Sequence, residues 1–232
     1  MPVTPIAAVL LDIEGTTTPV SFVHDVLFPY ARAALPAFLA ARGDEPDAAA
    51  ALTEVRRLAP GRDAQATLLH WMDQDAKVTP LKTLQGLIWR QGYAEGALHG
   101  LLYPDVAPNL RRWSTAGLRL AVFSSGSSEA QRLLFAHAPD GDLSGLFCGF
   151  FDTRVGNKRE AESYGRLAIA IGLPPAEMLF LSDVEAELDA AATAGMRTCQ
   201  LVRPDDRTEA SDRHATAADF TAVGRIAELF TR

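Results

Sequence analysis

The sequence predicts an α/β fold, in which a parallel sheet with helices on both faces is interrupted by an inserted all-helical segment. Apolar runs of strand length alternate with segments of helical period at the start of the chain and again from residue 105 onward. This alternation is typical of parallel sheets covered on both faces. Residues 19–104, in contrast, contain no convincing strand. Three of the predicted strands end directly in acids or serines, as strands do where open α/β sheets bind ligands.

The first predicted strand is the apolar run 7–11, which is followed by Asp12, Glu14, Gly15 and three threonines. A continuous apolar run of this length indicates a strand that is buried on both faces. Gly15 allows a sharp turn and a close approach of the backbone to a ligand. Taken alone, the two acids are equally compatible with a solvated turn at the end of a buried strand.

The block from residue 19 to residue 104 is predicted to be a helical insertion. Alanine-rich segments of helical period cover 26–42, 48–58, 64–74 and 81–100, and prolines and glycines separate them. We therefore expect two structural parts. Residues 1–18 and 105–232 form an α/β core, and residues 19–104 form a helical domain.

The alternation of strands and helices returns after the insertion. Strands are predicted at 118–123, 148–151, 178–181 and 197–202. Helices are predicted from 105 to about 116, from 128, and at 158–172, 184–194 and 221–231, with a polar loop at 203–214. Asp105 is expected to act as an N-cap, and Ser128 with Gln131 forms a capping-box pattern. Gly195 is the predicted residue just past a helix end.

Composition and charge exclude several classes of function. Of the 232 residues, 48% are hydrophobic, which is ordinary for a globular protein. The formal net charge is −7, and this negative charge argues against broad binding to nucleic acid or to membranes. No apolar run is long enough to span a bilayer, and no signal peptide is recognisable, so a cytoplasmic protein is expected. Nothing marks an exposed apolar seam, so we expect a monomer. Cys148 and Cys199 lie in apolar runs and are expected to be reduced core residues.

Six polar residues at the predicted strand and helix junctions form a candidate site. They are Asp12 and Glu14 after the first strand, Ser124 and Ser125 after the second, Asp183 after a later strand and Lys158 at a helix start. Each piece alone has an ordinary explanation as a solvated turn, an N-cap or a surface lysine. Their fixed order at junctions that share one sheet edge favours a common site.

These residue types suit phosphoryl transfer through an aspartate. A carboxylate can attack phosphorus and form an acyl phosphate, and a second acid such as Glu14 can protonate the leaving group and then activate water. Mg²⁺ held by Asp12 and Asp183 would screen the repulsion between the two anions. Serine hydroxyls, N–H groups at a helix N-terminus and the Lys158 ammonium would hold the phosphate oxygens.

The ordered motifs resemble those of the haloacid dehalogenase-type hydrolase superfamily. They are Asp12-Ile13-Glu14-Gly15-Thr16-Thr17, Ser124-Ser125-Gly126-Ser127, Lys158 and Leu181-Ser182-Asp183. That superfamily usually has an aspartate at the position of Glu14. This departure, the triple threonine and the segments 21–30, 88–93 and 103–106 resemble the enolase-phosphatases, or acireductone synthases, of methionine salvage. The resemblance spans nearly the whole chain.

The resemblance implies a Rossmann-like core, a helical cap at residues 19–104 and one Mg²⁺ per chain. It also implies an enzyme that enolises the small phosphorylated diketone 2,3-diketo-5-methylthiopentyl-1-phosphate and then dephosphorylates it through an aspartyl-phosphate to the acireductone. By position, it makes Asp12 the nucleophile and a metal ligand, Glu14 the acid/base and a ligand through its main-chain carbonyl, Asp183 a further ligand, and Ser124, Ser125 and Lys158 the phosphate-binding residues.

Several assignments keep two alternatives at this point. Glu187, one helical turn after Asp183, either orients water on the metal or is a solvated helix acid. Four aromatic residues of the predicted cap either contact the methylthio end of the substrate or pack in the cap core, namely Phe22, Trp89, Tyr93 and Tyr103. None of the five histidines shows metal-ligand spacing, and His24 is the first of them to test.

Two other functions are compatible with the sequence. One is a different reaction on the same scaffold, either a phosphatase for another small phosphoester or a dehalogenase that attacks carbon without a metal. The other is a binding protein that keeps the fold without catalysis. Loss of activity with a chelator would exclude a metal-free dehalogenase. A non-catalytic binding protein predicts that substitution of Asp12 changes nothing measurable.

Overall fold

The computed structural model describes residues 4–226. The chain divides into two compact units, one formed by the residues up to Val20 together with those from Gly100 onward, and the other formed by Ser21–His99. Within the described residues, no helix is long and apolar enough to cross a membrane.

The first unit is built on a six-stranded sheet in the order β3-β2-β1-β4-β5-β6. All adjacent strands are parallel. The strands are β1 (Ala8–Leu11), β2 (Arg119–Phe123), β3 (Phe147–Phe151), β4 (Met178–Ser182), β5 (Arg197–Leu201) and β6 (Ala215–Ala217). The predicted α/β class with a parallel sheet is therefore confirmed.

Helices connect these strands and pack on them. They are α6 (Val106–Thr115), α7 (Ser128–Ala136), α8 (Ala161–Ile171), α9 (Glu185–Thr193) and α10 (Phe220–Ile226). Leu10, Phe123 and Phe180 point to one face of the sheet, where they form a buried cluster with Leu167 of α8 and Leu188 of α9.

Side chains alternate along each strand, so Val9, Leu11 and Leu120 face the opposite side. That side is covered in part by α6, which contacts β2, and the Trp113 ring of α6 stacks on Phe220 at a centroid distance of 5.0 Å. Burial on both faces explains why the β1 and β4 strands are continuously apolar rather than alternating.

The second unit is all-helical over its described elements. After α1 (Val20–Phe22) and a π-helical segment (Val23–Leu27) come α2 (Phe28–Arg42), α3 (Pro46–Leu58), α4 (Ala64–Asp73) and α5 (Thr79–Ala94). Leu35, Leu52, Leu68 and Leu84 pack together as its core. The last helix ends at Ala94, six residues before the predicted end.

Some local predictions were wrong. Asp105 occupies the predicted N-cap position of α6, but its side chain makes no capping bond, because its carboxylate accepts bonds from Arg203 and from the Phe220 N–H. The side chain that caps α7 belongs to Ser127, not Ser128, and accepts a bond from the Ala130 N–H at 3.2 Å.

Two further differences concern strands. Strand β6 lies directly after the predicted polar loop 203–214, and it was missed because three residues give too short a pattern to recognise. Cys148 and Cys199 are both free, as expected, but Cys148 is exposed rather than in the core. The predicted helix 221–231 is described only to Ile226, and its remainder lies outside the described residues.

Candidate active site

The candidate residues follow neighbouring strands at the carboxyl edge of the sheet. Asp12 follows β1, Ser124 follows β2 and Asp183 follows β4. Strand β1 lies between the other two in the sheet. Parallel strands end at the same edge, so residues more than 170 positions apart in sequence come together there.

Four buried side chains form a closed ring of polar contacts, namely those of Asp12, Lys158, Glu187 and Ser182. The Lys158 ammonium lies 2.7 Å from Asp12 Oδ1 and 2.6 Å from Glu187 Oε2. The Ser182 hydroxyl lies 3.1 Å from Asp12 Oδ2 and 3.1 Å from Glu187 Oε2. Glu187 is thus buried in the site and is not a solvated helix acid.

The backbone holds Lys158 in this ring. Lys158 precedes α8 by three residues rather than beginning that helix as predicted, and the hydroxyl of Tyr164 donates to the Lys158 carbonyl at 2.7 Å. The loop before it also approaches α8 closely, because a Cβ on Gly156 would lie 2.2 Å from Ser163 Oγ. A side chain at Gly156 would therefore clash with α8, so that either the loop or the α8 side chains would have to shift.

The turn after β1 is a compact backbone structure. The N–H groups of Thr16, Thr17 and Thr18 all donate to the Ile13 carbonyl. Gly15 has a φ of +67°, and a Cβ there would lie 2.5 Å from Asp183 Oδ2. The turn thus needs glycine both for its backbone angle and for the space beside Asp183. Glu14 is half-buried within this turn.

The electrostatics of the site leave negative charge uncompensated. Among the described residues, the carboxylates of Asp12, Asp183 and Glu187 face one ammonium, that of Lys158, and Asp183 Oδ1 is buried without a hydrogen-bond partner. Burial, followed by the charge of Asp12, raises the pKa of Asp183 to about 7. The same two causes raise the pKa of Glu187 to about 7.

The lysine shows the complementary effect. Burial alone would lower the pKa of Lys158, but the charges of Asp12 and Glu187 outweigh it and raise that pKa. Lys158 therefore stays charged while it is buried, as a cation enclosed by carboxylates does.

These features fit a divalent cation. The hard carboxylate oxygens of Asp12 and Asp183 are ligands that Mg²⁺ prefers, and a cation would satisfy the unpartnered oxygen of Asp183. Within residues 4–226, no group of three His, Cys, Asp or Glu side chains is arranged to hold a metal. A metal held by the two aspartates would thus need main-chain oxygen and water as well, which is usual for Mg²⁺.

The serine loop follows β2. Ser124 is buried, its N–H donates to the Phe151 carbonyl at 3.2 Å, and its hydroxyl oxygen accepts a bond from the Gly126 N–H at 3.3 Å. Ser125 is exposed next to it. The loop leads directly into the N-terminus of α7, where helix N–H groups favour anions.

Sequence reasoning assigned no role at the site to three residues that support this edge of the sheet. Ser182 bridges Asp12 and Glu187, Gln131 binds the serine loop, and the buried Arg203 donates to the Thr16 carbonyl at 2.7 Å. Ser182 was visible as part of the strand-end motif, and Gln131 was considered only as a capping residue. Arg203 lies in a predicted polar loop and carried no signal in the sequence.

The candidate aromatic residues fall in different surroundings. Phe22 and Tyr93 are buried, and the Trp89 indole N–H donates to the Leu27 carbonyl at 2.8 Å within the helical unit. Tyr103 belongs to the α/β unit, where its hydroxyl donates to Asp206. It is therefore not part of the helical unit, although it was predicted there.

The parallel sheet, with acids and serines at its carboxyl edge and a buried lysine among the acids, defines a class of hydrolase. A family model described as haloacid dehalogenase-like hydrolase matches residues 6–195. A solved structure has a similar fold: the UTR4 protein of Saccharomyces cerevisiae is 32% identical, with a TM-score of 0.80 over 92% of this chain and 98% of that one.

Curated relatives narrow the family. "Enolase-phosphatase E1" of Acidiphilium cryptum (strain JF-5) is 62% identical over 93% of this chain and 93% of its own length. The protein of that name from Gluconacetobacter diazotrophicus is 58% identical over 95% of this chain and 94% of its own length. The chain belongs to the enolase-phosphatase E1 family of the haloacid dehalogenase-like hydrolases. It is accordingly an enzyme, a phosphatase of that superfamily.

Proposed function

We propose that this protein is a Mg²⁺-dependent enolase-phosphatase of methionine salvage. Its proposed substrate is 2,3-diketo-5-methylthiopentyl-1-phosphate, which it enolises and then dephosphorylates to the acireductone. The observation that carries the proposal is the contact of Asp12 with Lys158, together with the Asp183 carboxylate oxygen that has no hydrogen-bond partner among the described residues. Family membership supports the choice of substrate.

Asp12 is the proposed nucleophile. Its Oδ1 accepts bonds from the Ile13 N–H at 2.7 Å and from Lys158 at 2.7 Å, and its Oδ2 faces the Ser182 hydroxyl at 3.1 Å. These contacts restrict the rotation of the carboxylate, which lowers the entropy lost when it aligns with phosphorus. The attack forms a bond between a carboxylate oxygen and phosphorus and breaks the bond from phosphorus to the ester oxygen.

Glu14 is the proposed general acid and base. It lies two residues after Asp12 in the compact turn and is half-buried. In the first step it gives its proton to the departing ester oxygen. In the second step it takes a proton from water, whose oxygen attacks the aspartyl-phosphate. That step releases inorganic phosphate and restores the carboxylate of Asp12.

Lys158, Ser124 and Ser125 are the proposed phosphate-binding residues. The Lys158 ammonium is already held beside the nucleophile, so it can neutralise part of the charge on the phosphoryl group as that group transfers. The two serines follow the neighbouring strand β2 and precede the N-terminus of α7, where an anion is favoured.

Asp12, Asp183 and the main-chain carbonyl of Glu14 are the proposed ligands of one Mg²⁺ ion per chain. When bound, the ion would polarise the phosphoryl group and offset the excess negative charge of the site. Glu187 keeps Lys158 and Ser182 in place beside Asp12. We also propose that it would orient water on the metal.

The enolisation also requires a base. The base takes a proton from the carbon between the phosphoester oxygen and the first carbonyl and returns it to that carbonyl oxygen, so the step neither consumes nor releases a proton. We propose Glu14 for this step as well, because its side chain is one methylene longer than the aspartate usual at this position in the superfamily. The same carboxyl group would then serve both reactions in turn.

The proposal extends to the organisation of the protein. The helical residues 19–104 act as the cap, with Trp89 a candidate for contact with the methylthio end of the substrate. The enzyme works as a monomer in the cytoplasm, without nucleic acid or membrane partners. The net charge of −7 supports the absence of broad binding to polyanions.

A phosphate-release assay tests the proposal. The purified protein is incubated with the diketo phosphate and a panel of small phosphoesters, with Mg²⁺ and with a chelator. We expect Mg²⁺-dependent release of phosphate, with the highest kcat/KM for the diketo phosphate, and an absorbance change from the enol before phosphate appears. Asp12→Asn should abolish phosphate release.

The alternatives give different results in the same assay. A higher kcat/KM for another phosphoester would assign the scaffold to that substrate. Halide release from a haloacid that persists with chelator would indicate a dehalogenase. No turnover of any compound, with Asp12→Asn indistinguishable from the wild type, would support the non-catalytic binding protein.

A further inference from the structure

A buried glutamine joins the serine loop to the neighbouring strand. The side chain of Gln131, on α7, is only 1% exposed. Its amide nitrogen lies 2.8 Å from the Gly126 carbonyl, 2.8 Å from the Phe151 carbonyl and 3.5 Å from the Ser124 carbonyl. Gly126 and Ser124 belong to the loop after β2, and Phe151 is the last residue of β3.

The orientation of this amide is determined by its surroundings. Carbonyl oxygens only accept hydrogen bonds, so the amide NH₂ must face them, and its two protons suit the two carbonyls at 2.8 Å. The other atom, Gln131 Oε1, is buried without a hydrogen-bond partner among the described residues. Leaving that oxygen unpaired is unfavourable. The favourable contacts of this side chain are therefore those of its NH₂ group with the two carbonyls.

The same loop is held from a second side. Asp152, the residue after β3, accepts a bond from the Ser128 N–H at 3.1 Å and pairs with Arg154 at 2.9 Å. Arg154 in turn donates to the Ser128 hydroxyl at 3.0 Å. This contact fixes the end of the loop where α7 begins. Gln131 is the side chain that reaches the middle of the loop, at Gly126.

We propose that Gln131 is a positioning residue for phosphate binding, an inference that rests on the proposed function of the serine loop. Gln131 holds the segment 124–126 against the end of β3. The Ser124 hydroxyl and the loop N–H groups are thereby oriented before the phosphate arrives. A preorganised loop avoids the entropy cost of ordering on binding, so loss of the contact weakens the affinity for phosphate.

The test replaces Gln131 with Met, whose side chain has a similar length and no N–H donor. Hydrogen exchange measured by mass spectrometry reports the loop directly. Peptides covering 124–128 are expected to exchange at least about tenfold faster in Gln131→Met, whereas peptides covering 178–183 at the Asp183 side keep their rates. Leu134→Ala is the control, because Leu134 is buried on the same helix and makes none of these contacts.

The functional readout is competitive inhibition by inorganic phosphate in the presence of Mg²⁺. In Gln131→Met, the inhibition constant for phosphate and the KM for the phosphoester should rise together by about tenfold, with kcat changed less than about threefold. Leu134→Ala should lower the thermal midpoint without raising either constant. A purely structural role for Gln131 would give the same pattern as this control.

Each outcome decides the inference. Unchanged exchange at 124–128 in Gln131→Met, or faster exchange with an unchanged inhibition constant for phosphate, would overturn it. A wild-type protein that neither hydrolyses phosphoesters nor binds phosphate would overturn the proposed function and the phosphate-binding part of the inference together. The exchange rates of the variant would still show whether Gln131 holds the loop, so the two failures are distinguishable.

Discussion

The ammonium of Lys158 lies 2.7 Å from Asp12 Oδ1, with both side chains almost entirely buried. Lys158 reaches Asp12 from a loop that is separated from it by more than 140 residues of sequence. Burying an ion pair costs solvation energy that the attraction between its charges only partly returns. A contact of this kind at a strand end is better explained by the chemistry of the site than by the stability of the fold.

Replacing Lys158 with Met should lower both activity and stability. Removing one partner from a buried ion pair destabilises proteins by about 3–5 kcal/mol because the remaining charge stays buried. Loss of a cation that stabilises the transition state should lower kcat/KM by about 10²–10³. Urea unfolding and steady-state kinetics measure the two effects.

A surface lysine serves as the control for that variant. Lys77 pairs with Asp75 in an exposed ion pair, and Lys77→Met should leave both kcat/KM and the unfolding midpoint unchanged. Wild-type kinetics in Lys158→Met would contradict the assigned role of the buried ammonium.

Replacing Gly15 with Ala should disable the site more than it destabilises the fold. A residue with a side chain at positive φ costs about 1–2 kcal/mol. The new Cβ would also lie 2.5 Å from Asp183 Oδ2 and displace that carboxylate. We expect kcat/KM to fall by more than about 10², since a misplacement of about 1 Å can have this effect.

Gly117→Ala provides a matched comparison. Gly117 has a φ of +87° in the same unit, and, apart from Gly117 and its two chain neighbours, no described residue has an atom within 4 Å of the added Cβ. Its variant should show a comparable loss in urea unfolding with wild-type kcat/KM. Equal activity losses in the two variants would show that backbone strain alone explains the effect at Gly15.

The sequence predicted the fold class and the candidate site because both depend on local signals. Continuous apolar runs indicate strands buried on two faces, and the acids and serines directly after β1, β2 and β4 are visible without knowledge of the fold. The sheet then brings Asp12 and Lys158 into contact and leaves Gly15 beside Asp183. The catalytic roles of these residues remain predictions.

The remaining features depend on contacts between distant segments. Asp105 has the residue type of an N-cap, but it pairs with Arg203, 98 positions away. Strand β6 is only three residues long and is defined by its pairing with β5 rather than by its own pattern. The bonds of Gln131 to Phe151 likewise require β2 and β3 to be adjacent, which no local pattern specifies.

Replacing Glu14 with Asp should separate the two proposed reactions. The shorter side chain withdraws the carboxyl group by one methylene, and the resemblance to superfamily motifs with aspartate at this position implies that this length supports dephosphorylation. We expect enolisation of the diketo phosphate to slow by at least about tenfold more than hydrolysis of a simple phosphoester. Absorbance of the enol and release of phosphate follow the two steps separately. Equal losses in both would argue against a special role of Glu14 in enolisation.

Replacing Asp183 with Asn should stabilise the metal-free protein and remove its response to magnesium. Asp183 Oδ1 is buried without a partner among the described residues, and the Asp12 carboxylate adds repulsion. Removing this buried charge should raise the thermal midpoint measured with chelator, by roughly 2–4 °C for each kcal/mol gained in a protein of this size. A ligand that binds only the folded state at about 100 times its Kd adds about 2.7 kcal/mol of stability. Wild-type protein should therefore melt several degrees higher in excess Mg²⁺.

Asp142→Asn is the control for this charge removal. Asp142 is exposed, and its carboxylate accepts a bond from the Ser144 N–H at 2.8 Å. Calorimetric scans with chelator and with Mg²⁺ should show that Mg²⁺ raises the thermal midpoint of Asp142→Asn as much as that of the wild type. They should show no such increase for Asp183→Asn. If Mg²⁺ raises the thermal midpoint of Asp183→Asn as much as that of the wild type, the cation binds elsewhere. If it melts lower than wild type in chelator, the carboxylate has a stabilising partner of its own, and the argument for a cation at this carboxylate loses its basis.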